Sequence, residues 1–185
     1  MKHVIYPYFE LVSSYDNEEN RGLLMPQRST VDSAGYDFVV AEDTIIPSYH
    51  NLIDSIVSDC TNLSPYLLPE VAEITKKKKF GPTLVPTGVK AYIPPREYLQ
   101  IQVRSSLPLK HWLILANGVG IIDGDYVDNP DNEGHIYFQL INLFPYDILL
   151  RKGDKIGQGI FLPYDVIPEE TITRVRQGGL GSTGG

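Results

Sequence analysis

The chain has 185 residues, of which 42% are hydrophobic and 21% charged, so it can bury the core of one domain and is too apolar for an intrinsically disordered protein. Its formal net charge of −7 argues against nonspecific binding to nucleic acid, and no apolar run is long enough to span a membrane. A single cysteine, Cys60, allows no internal disulfide and is typical of the cytoplasm.

Short strands are predicted along most of the chain. Four segments mix β-branched and aromatic residues in near-alternation, which is typical of strands: residues 84–94, 98–104, 135–143 and 155–162. Turn-forming pairs separate these segments, and fourteen prolines with sixteen glycines disfavour long helices. The pattern predicts an all-β fold, a barrel or a jelly roll, in a single domain over residues 1–185.

One segment departs from this pattern. Residues 48–79 place Leu52, Ile53, Ile56 and Val57 at helical spacing, and two prolines interrupt the second half of the segment. We therefore predict a partly helical insertion at about 48–79, carried on the β scaffold.

The stretch GVGIIDGDY, residues 118–126, places two aspartates directly after an apolar run. Asp123-Gly124 is a two-residue signal for a β-hairpin, and on that interpretation Asp123 only makes the turn. On the alternative interpretation, Asp123 at the edge of the hairpin is a general base that orients a water, and Tyr126 is an aromatic wall for a sugar. The stretch alone leaves both interpretations open.

Arg104, Ser105 and Ser106 come at the end of a predicted strand. No G-x-S-x-G sequence surrounds the serines, which argues against a serine nucleophile. An arginine fork beside hydroxyl groups suits the binding of phosphate, even in an acidic protein. The four histidines are scattered, without a short-spaced pair, so we expect no metal held by protein side chains.

Five windows, in order along the chain, resemble the five motifs of the trimeric dUTP nucleotidohydrolases, the dUTPase family: AGYDF (34–38), VRSSLP (103–108), NGVGIIDGDY (117–126), RKGDKIGQGIF (151–161) and GGLGSTGG (178–185). The longer continuation of the third window, YVDNPDNEGHI, resembles the variants of phages and Gram-positive bacteria. The resemblance implies a jelly-roll β barrel and a homotrimer whose active sites draw motifs from more than one chain.

The resemblance also implies an activity. In that family dUTP and water give dUMP and pyrophosphate, with Mg²⁺ carried on the triphosphate, which keeps uracil out of DNA and supplies dUMP. The implied location is the cytoplasm of a bacterial or phage-infected cell.

The resemblance assigns roles to individual residues. Asp123 is the carboxylate that activates water, Tyr126 packs against the deoxyribose, and Asp37 holds an arginine in place. Asp125 matches no catalytic role and is assigned to the turn or to solvent. The remaining substrate-binding positions fall in or beside the same windows: Arg104, Ser105, Ser106, Asn117, Gly120, Ile122, Gln158, Arg176, Leu180, Gly181, Ser182 and Thr183.

The glycine-rich end, residues 176–185, resembles a mobile lid that closes over bound nucleotide, because glycine lets backbone amides approach phosphate closely. Ser182 and Thr183 are the implied γ-phosphate contacts. Leu180 stands where the family usually has an aromatic residue that stacks on uracil. Arg174 and Arg176 flank the expected position of the family's arginine, and we take Arg176.

Two alternatives share this fold. A dCTP deaminase has a similar second motif, but its chemistry needs a glutamate in the pocket where the third window supplies aspartates. A nonenzymatic trimer could bind a partner protein through residues 48–79, and that role could coexist with catalysis. We expect no stable binding to nucleic acid or to membranes.

Overall fold

The computed structural model describes residues 5–51 and 81–168, together with Arg176 and Gly178. Strands predominate in these ranges, and their bounds are β1 Tyr8–Leu11, β2 Gln27–Arg28, β3 Tyr36–Val39, β4 Thr44–Ile46, β5 Thr83–Pro86, β6 Val89–Tyr92, β7 Glu97–Val103, β8 Leu113–Leu115, β9 Gly120–Ile122, β10 Tyr137–Asn142, β11 Ile148–Leu150 and β12 Lys155–Pro163. The helical elements include a 3-10 turn at Ser13–Tyr15 and the short helices α1 (Glu18–Leu23) and α2 (Ser106–His111), and residues 49–51 are also helical.

The strands form antiparallel sheets around one core. The largest sheet has five strands in the order β2-β3-β12-β7-β9, a second has three in the order β5-β10-β8, and the pairs β1-β6 and β11-β4 complete the described part. Most strands that are consecutive in the chain lie in different sheets, so the chain crosses repeatedly between the layers, as in a jelly roll. The prediction of an all-β, jelly-roll-like barrel is confirmed, and each of the four predicted segments contains a strand.

Alternating side chains of the two larger sheets build the core. In β10 every second residue is buried, and the ring centroid of Phe138 lies 5.8 Å from that of Phe38 on β3. On β12, Gly157 approaches Phe138 so closely that a methyl group there would overlap the ring. Full burial of such an apolar side chain contributes about 1.5–3 kcal/mol. This packing fixes the relative positions of β3, β7 and β12, on which three of the five windows lie.

The predicted insertion at about 48–79 lies, apart from residues 48–51, outside the described ranges, and so does the predicted lid at 176–185, apart from Arg176 and Gly178. The single-domain organisation stays a prediction. None of the helices within the described ranges is long and apolar enough to cross a membrane.

Candidate active site

Asp123 lies in a turn that follows β9. The Tyr126 N–H donates to the Asp123 carbonyl oxygen (3.1 Å), so Gly124 and Asp125 form the corners of the turn. The prediction of a hairpin at Asp123-Gly124 is wrong, because β9 pairs with β7 and the next strand, β10, pairs with β5 and β8. A turn is present, as the signal predicted, but the chain leaves the sheet after it instead of returning as a paired strand. The Asp123 side chain is 53% exposed.

Asp123 and Asp125 share one arginine. Nη2 of Arg176 donates to Oδ2 of Asp123 (2.7 Å), and its Nε donates to Oδ1 of Asp125 (2.9 Å). The guanidinium also lies 5.7 Å from the ring centroid of Tyr126. Asp125 is part of the turn, as predicted. Its carboxylate does not face solvent only, because it also binds Arg176. These four residues form what we call the carboxylate cluster: Asp123, Asp125, Tyr126 and Arg176.

Tyr126 is held by the acidic loop that follows it, residues 127–135. The tyrosine hydroxyl donates to the His135 carbonyl oxygen (2.8 Å) and accepts from Nδ2 of Asn132 (2.9 Å). Burial raises the pKa of the phenol, and the hydrogen bond from Asn132 offsets this only in part. The ring is therefore a neutral surface in a fixed orientation, with Arg176 packed against it.

The acidic loop is hydrogen-bonded to itself and to the barrel. Oδ1 of Asn129 accepts from the backbone N–H groups of Asp131 (3.1 Å) and Asn132 (3.2 Å). At the edge of the loop, Nζ of Lys90 on β6 donates to Asp128 (2.7 Å). These polar residues therefore anchor the wall behind Tyr126, a role that the sequence did not indicate.

His135, at the end of the acidic loop, makes the fold sensitive to acid. Its Nε2 accepts the backbone N–H of Gly88 (2.8 Å), and burial lowers the pKa of the buried ring to about 4. An unfolded histidine binds its proton near about pH 6.5, so below that pH the unfolded chain takes up a proton that the folded chain does not. We expect the free energy of unfolding to fall between about pH 6.5 and about pH 4, by up to about 3 kcal/mol.

Chemical denaturation at about pH 7 and about pH 5 measures this loss. The His135→Gln variant should lack this part of the pH dependence, whereas a control variant at an exposed histidine, His111→Gln, should keep it. Equal pH dependence in the wild type and in His135→Gln would contradict the assignment.

A second group of polar residues gathers where β3, β7 and β12 lie side by side. Asp37, on β3, accepts from Nζ of Lys155 (2.7 Å) and from Oγ of Ser29 (2.6 Å). Its Oδ1 lies 3.9 Å from Nε of Arg104. Burial acts to raise the pKa of Asp37, but the hydrogen bonds from Lys155 and Ser29 and the nearby cations hold it below its usual range. The ionised carboxylate therefore lies near Arg104, and its role in holding that arginine stays a prediction.

Gln158 lies beside Asp37 in the sheet, because β12 pairs Gln158 with Asp37 on one side and with Gln102 on the other. Its side chain passes over Gly35 of the first window, where a Cβ would come within 2.6 Å of the amide oxygen. The glycine of AGYDF thus makes room for the amide of the fourth window.

The serines of the second window lie next to Arg104 in the chain. Ser105 is exposed and precedes α2, and Ser106 is its first residue. The Leu107 N–H donates to the Arg104 carbonyl oxygen (3.0 Å), which closes the turn from strand to helix. These residues join the preceding ones in what we call the arginine cluster: Asp37, Arg104, Ser105, Ser106, Lys155 and Gln158.

Asn117, Gly120 and Ile122 lie on or just before β9. Gly120 packs so closely on β7 that a Cβ there would come within 2.5 Å of Cγ1 of Ile101. Ile122 is half-buried against the core, whereas Asn117 is exposed in the loop between β8 and β9. Of these three positions, Asn117 is therefore the one whose side chain is available to a ligand.

The two clusters lie towards opposite ends of β7. Arg104 follows the last residue of β7, whereas Asp123 follows Ile122, which pairs with Leu99 near the first residue. Five residues along a strand span about 17 Å. Arg104 and Asp123 of one chain are therefore too far apart to meet at one phosphate group.

The predicted lid contacts Leu180, Gly181, Ser182 and Thr183 lie outside the described residues. The sequence did not predict that Lys155 binds Asp37 or that Asp125 binds Arg176. The available signal was their position, since Lys155 lies in the fourth window near Gln158 and Asp125 lies in the third window next to Tyr126. In the described part of the chain, no group of three or more His, Cys, Asp or Glu residues could hold a metal ion.

Comparisons with known proteins point to one family. The dUTPase family model matches residues 66–184. The deoxyuridine 5'-triphosphate nucleotidohydrolase of Lactococcus lactis is 38% identical over 178 residues, which cover 95% of this chain and 96% of that protein. The crystal structure of dUTPase from Streptococcus mutans is similar with a TM-score of 0.65 at 38% identity, over 86% of this chain and 98% of that one. A mutant dUTPase from phage phi11 of S. aureus, which coordinates a structural Mg(II) ion, shares the fold at 15% identity, with a TM-score of 0.57 over 91% of this chain and 97% of that one.

Proposed function

The chain belongs to the dUTPase family, and on that premise we propose that it hydrolyses dUTP to dUMP and pyrophosphate. The observation that carries the proposal is the carboxylate cluster, in which the half-exposed Asp123 stands beside the fixed ring of Tyr126. A carboxylate next to a flat neutral wall suits a substrate that joins a sugar to a phosphate chain.

In this proposal Asp123 is the general base. Its carboxylate reaches solvent, so it can accept a proton from the water that attacks a phosphate of dUTP while pyrophosphate leaves on the opposite side. A positioned base contributes about 10²-fold to 10⁴-fold to such a reaction. The remaining acceleration comes from the placement of the water and from stabilisation of charge on the phosphate oxygens. Tyr126 packs against the deoxyribose and disfavours a 2′-hydroxyl.

The arginine cluster and Mg²⁺ together neutralise the negative charge of the triphosphate. Arg104 is 38% exposed and its Nε lies 3.9 Å from Asp37, so its N–H groups are available to phosphate oxygens. Mg²⁺ prefers oxygen ligands and keeps several waters, and it neutralises charge on a bound triphosphate. The described residues offer half-exposed carboxylates but no cluster of three metal-binding side chains. We therefore propose that the ion is held by phosphate oxygens and water.

The family resemblance implies a homotrimer, and the distance between the two clusters supports a site that combines the arginine cluster of one chain with the carboxylate cluster of another. Large apolar side chains are exposed around the second and third windows, namely Leu109 (78%), Trp112 (57%) and Ile121 (53%). Exposed apolar residues are found on surfaces that a partner covers when they form one patch. A second subunit packed here is the proposed occupant.

The alternative of a dCTP deaminase is tested together with the proposal. Purified protein is incubated with Mg²⁺ and dUTP, dCTP, dTTP or UTP, and the release of pyrophosphate and of ammonia is measured. We expect pyrophosphate from dUTP, more slowly or not at all from the other nucleotides, and no ammonia from dCTP. Ammonia from dCTP would favour the deaminase, and no pyrophosphate from dUTP would contradict the proposed function.

The regulatory alternative depends on residues 48–79, most of which lie outside the described ranges. It stays a prediction, as does the location in the cytoplasm of a bacterial or phage-infected cell.

A further inference from the structure

Asp125 belongs to the carboxylate cluster and has no part in the proposed reaction. Its Oδ1 accepts from Nε of Arg176 (2.9 Å), while Oδ2 of Asp123 accepts from Nη2 of the same guanidinium (2.7 Å). Nε and Nη2 lie on one edge of the planar guanidinium. The two carboxylates therefore hold that edge together.

This arrangement can change when a nucleotide binds. One oxygen of Asp123 is occupied by Nη2, whereas a triphosphate brings oxygens that carry more charge and accept N–H groups of arginine strongly. Nη2 can therefore pass from Asp123 to a phosphate oxygen, which frees the carboxylate for a water. Nothing in this exchange requires the bond between Nε and Asp125 to break.

We propose that Asp125 is a positioning residue, which keeps Nε of Arg176 at the site while Nη2 passes from Asp123 to a phosphate oxygen of the nucleotide. The inference rests on the proposed function, since it assumes dUTP as the ligand. With Nε held, the guanidinium pivots about one hydrogen bond instead of leaving the site. Arg176 then meets the phosphates with less loss of conformational freedom than a free side chain would suffer. The ring of Tyr126 at 5.7 Å limits the movement on one side.

The competing explanation is that Asp125 only stabilises the turn. The hydrogen bond that closes the turn joins two backbone atoms, the Tyr126 nitrogen and the Asp123 oxygen, and does not use the Asp125 side chain. Arg176 is 14% exposed, so its bond to Asp125 is partly shielded from water. The Asp125→Asn substitution keeps the shape of the residue and removes its charge, and it therefore separates the two explanations.

The test is a double-mutant cycle in which two quantities are measured for each variant. The first is the Kd of an unhydrolysable dUTP analogue with Mg²⁺, and the second is the kcat for dUTP, each measured for the wild type, Asp125→Asn, Arg176→Ala and the double variant. We expect Asp125→Asn to raise the Kd about threefold to tenfold and to leave kcat within about twofold. The reason is that Arg176 binds phosphate charge that is present both in the bound nucleotide and in the transition state, so its loss weakens binding of both equally. In the Arg176→Ala background the same substitution should change the Kd by less than about twofold.

Each outcome of this cycle either supports the proposed role of Asp125 or overturns it. Asp125→Glu, which keeps the carboxylate, should restore at least part of the affinity. An unchanged Kd in Asp125→Asn overturns the proposal, and so does an equal effect in the Arg176→Ala background, because Asp125 would then not act through Arg176. A loss that falls mainly on kcat also overturns it and points to a disturbed turn. Wild-type protein that binds the analogue and does not hydrolyse dUTP contradicts the proposed function instead, while the Kd cycle still tests Asp125.

Discussion

Asparagine in place of Asp123 is expected to reduce the rate of dUTP hydrolysis by about 10²-fold to 10⁴-fold, because the amide cannot take a proton from the attacking water. Nucleotide binding should stay within about threefold of the wild type, since the substitution keeps the shape of the turn and leaves Asp125 to hold Arg176. Pyrophosphate release measures the rate, and titration with an unhydrolysable dUTP analogue measures the affinity.

The matched control is Asp165→Asn, which makes the same chemical change at an exposed aspartate beyond β12. The control should keep wild-type turnover and affinity. Turnover by Asp123→Asn within about threefold of the control would remove Asp123 as the base. A loss of affinity as large as the loss of rate would instead make Asp123 a binding residue.

Alanine in place of Gly157 is expected to lower the free energy of unfolding by about 2–4 kcal/mol, a cost at the upper end of overpacking in a core. A Cβ at this position would lie 2.0 Å from Cε1 of Phe138 and 2.7 Å from the backbone oxygen of Gln102. Phe138 is fully buried and the backbone of β7 is paired, so neither neighbour can move aside freely. Urea denaturation followed by circular dichroism measures the loss.

Gly22 supplies the control for this substitution. It lies exposed in α1, and no heavy atom stands within 4 Å of a Cβ built on it. Gly22→Ala should therefore leave the stability unchanged or raise it by up to about 1 kcal/mol, as alanine does inside helices. If Gly157→Ala is as stable as Gly22→Ala, the close contact between β12 and β10 is not present in the folded protein.

The barrel could be predicted from the sequence because its strands alternate between buried and exposed residues. On β10 the buried apolar residues are Phe138 and Leu140, and on β7 they are Leu99 and Ile101. Successive side chains of a strand point to opposite faces of the sheet, so this alternation is visible in the local sequence. Candidate site residues could be named for a related reason, since polar residues such as Arg104 and Asp123 stand directly after strands. Those positions are fixed by the local chain.

The partners of the site residues could not be predicted, because they come from segments far apart in the sequence. Arg176 reaches Asp123 and Asp125 from fifty or so positions away, and no local pattern specifies that contact. The hairpin predicted at Asp123-Gly124 failed for the same reason. A local turn signal does not say which strand comes next to β9, and β7 takes that place through the packing of Gly120 on Ile101.

The placement of the two clusters at different ends of β7 also could not be predicted from the sequence. Motif order shows that Arg104 precedes Asp123, but only the register of β9 on β7 shows that they stand at different ends of the sheet. Our proposal of a site shared between chains rests on this separation together with the family resemblance.

A crystal structure of the Asp123→Asn protein with Mg²⁺ and dUTP is the most direct test of the proposed site. We predict that the deoxyribose lies on Tyr126, that residue 123 faces a water beside a phosphate, and that Arg104 of a neighbouring chain contacts the same triphosphate. A nucleotide bound away from the turn at Asp123, or held by the arginine cluster and the carboxylate cluster of one chain alone, would contradict it.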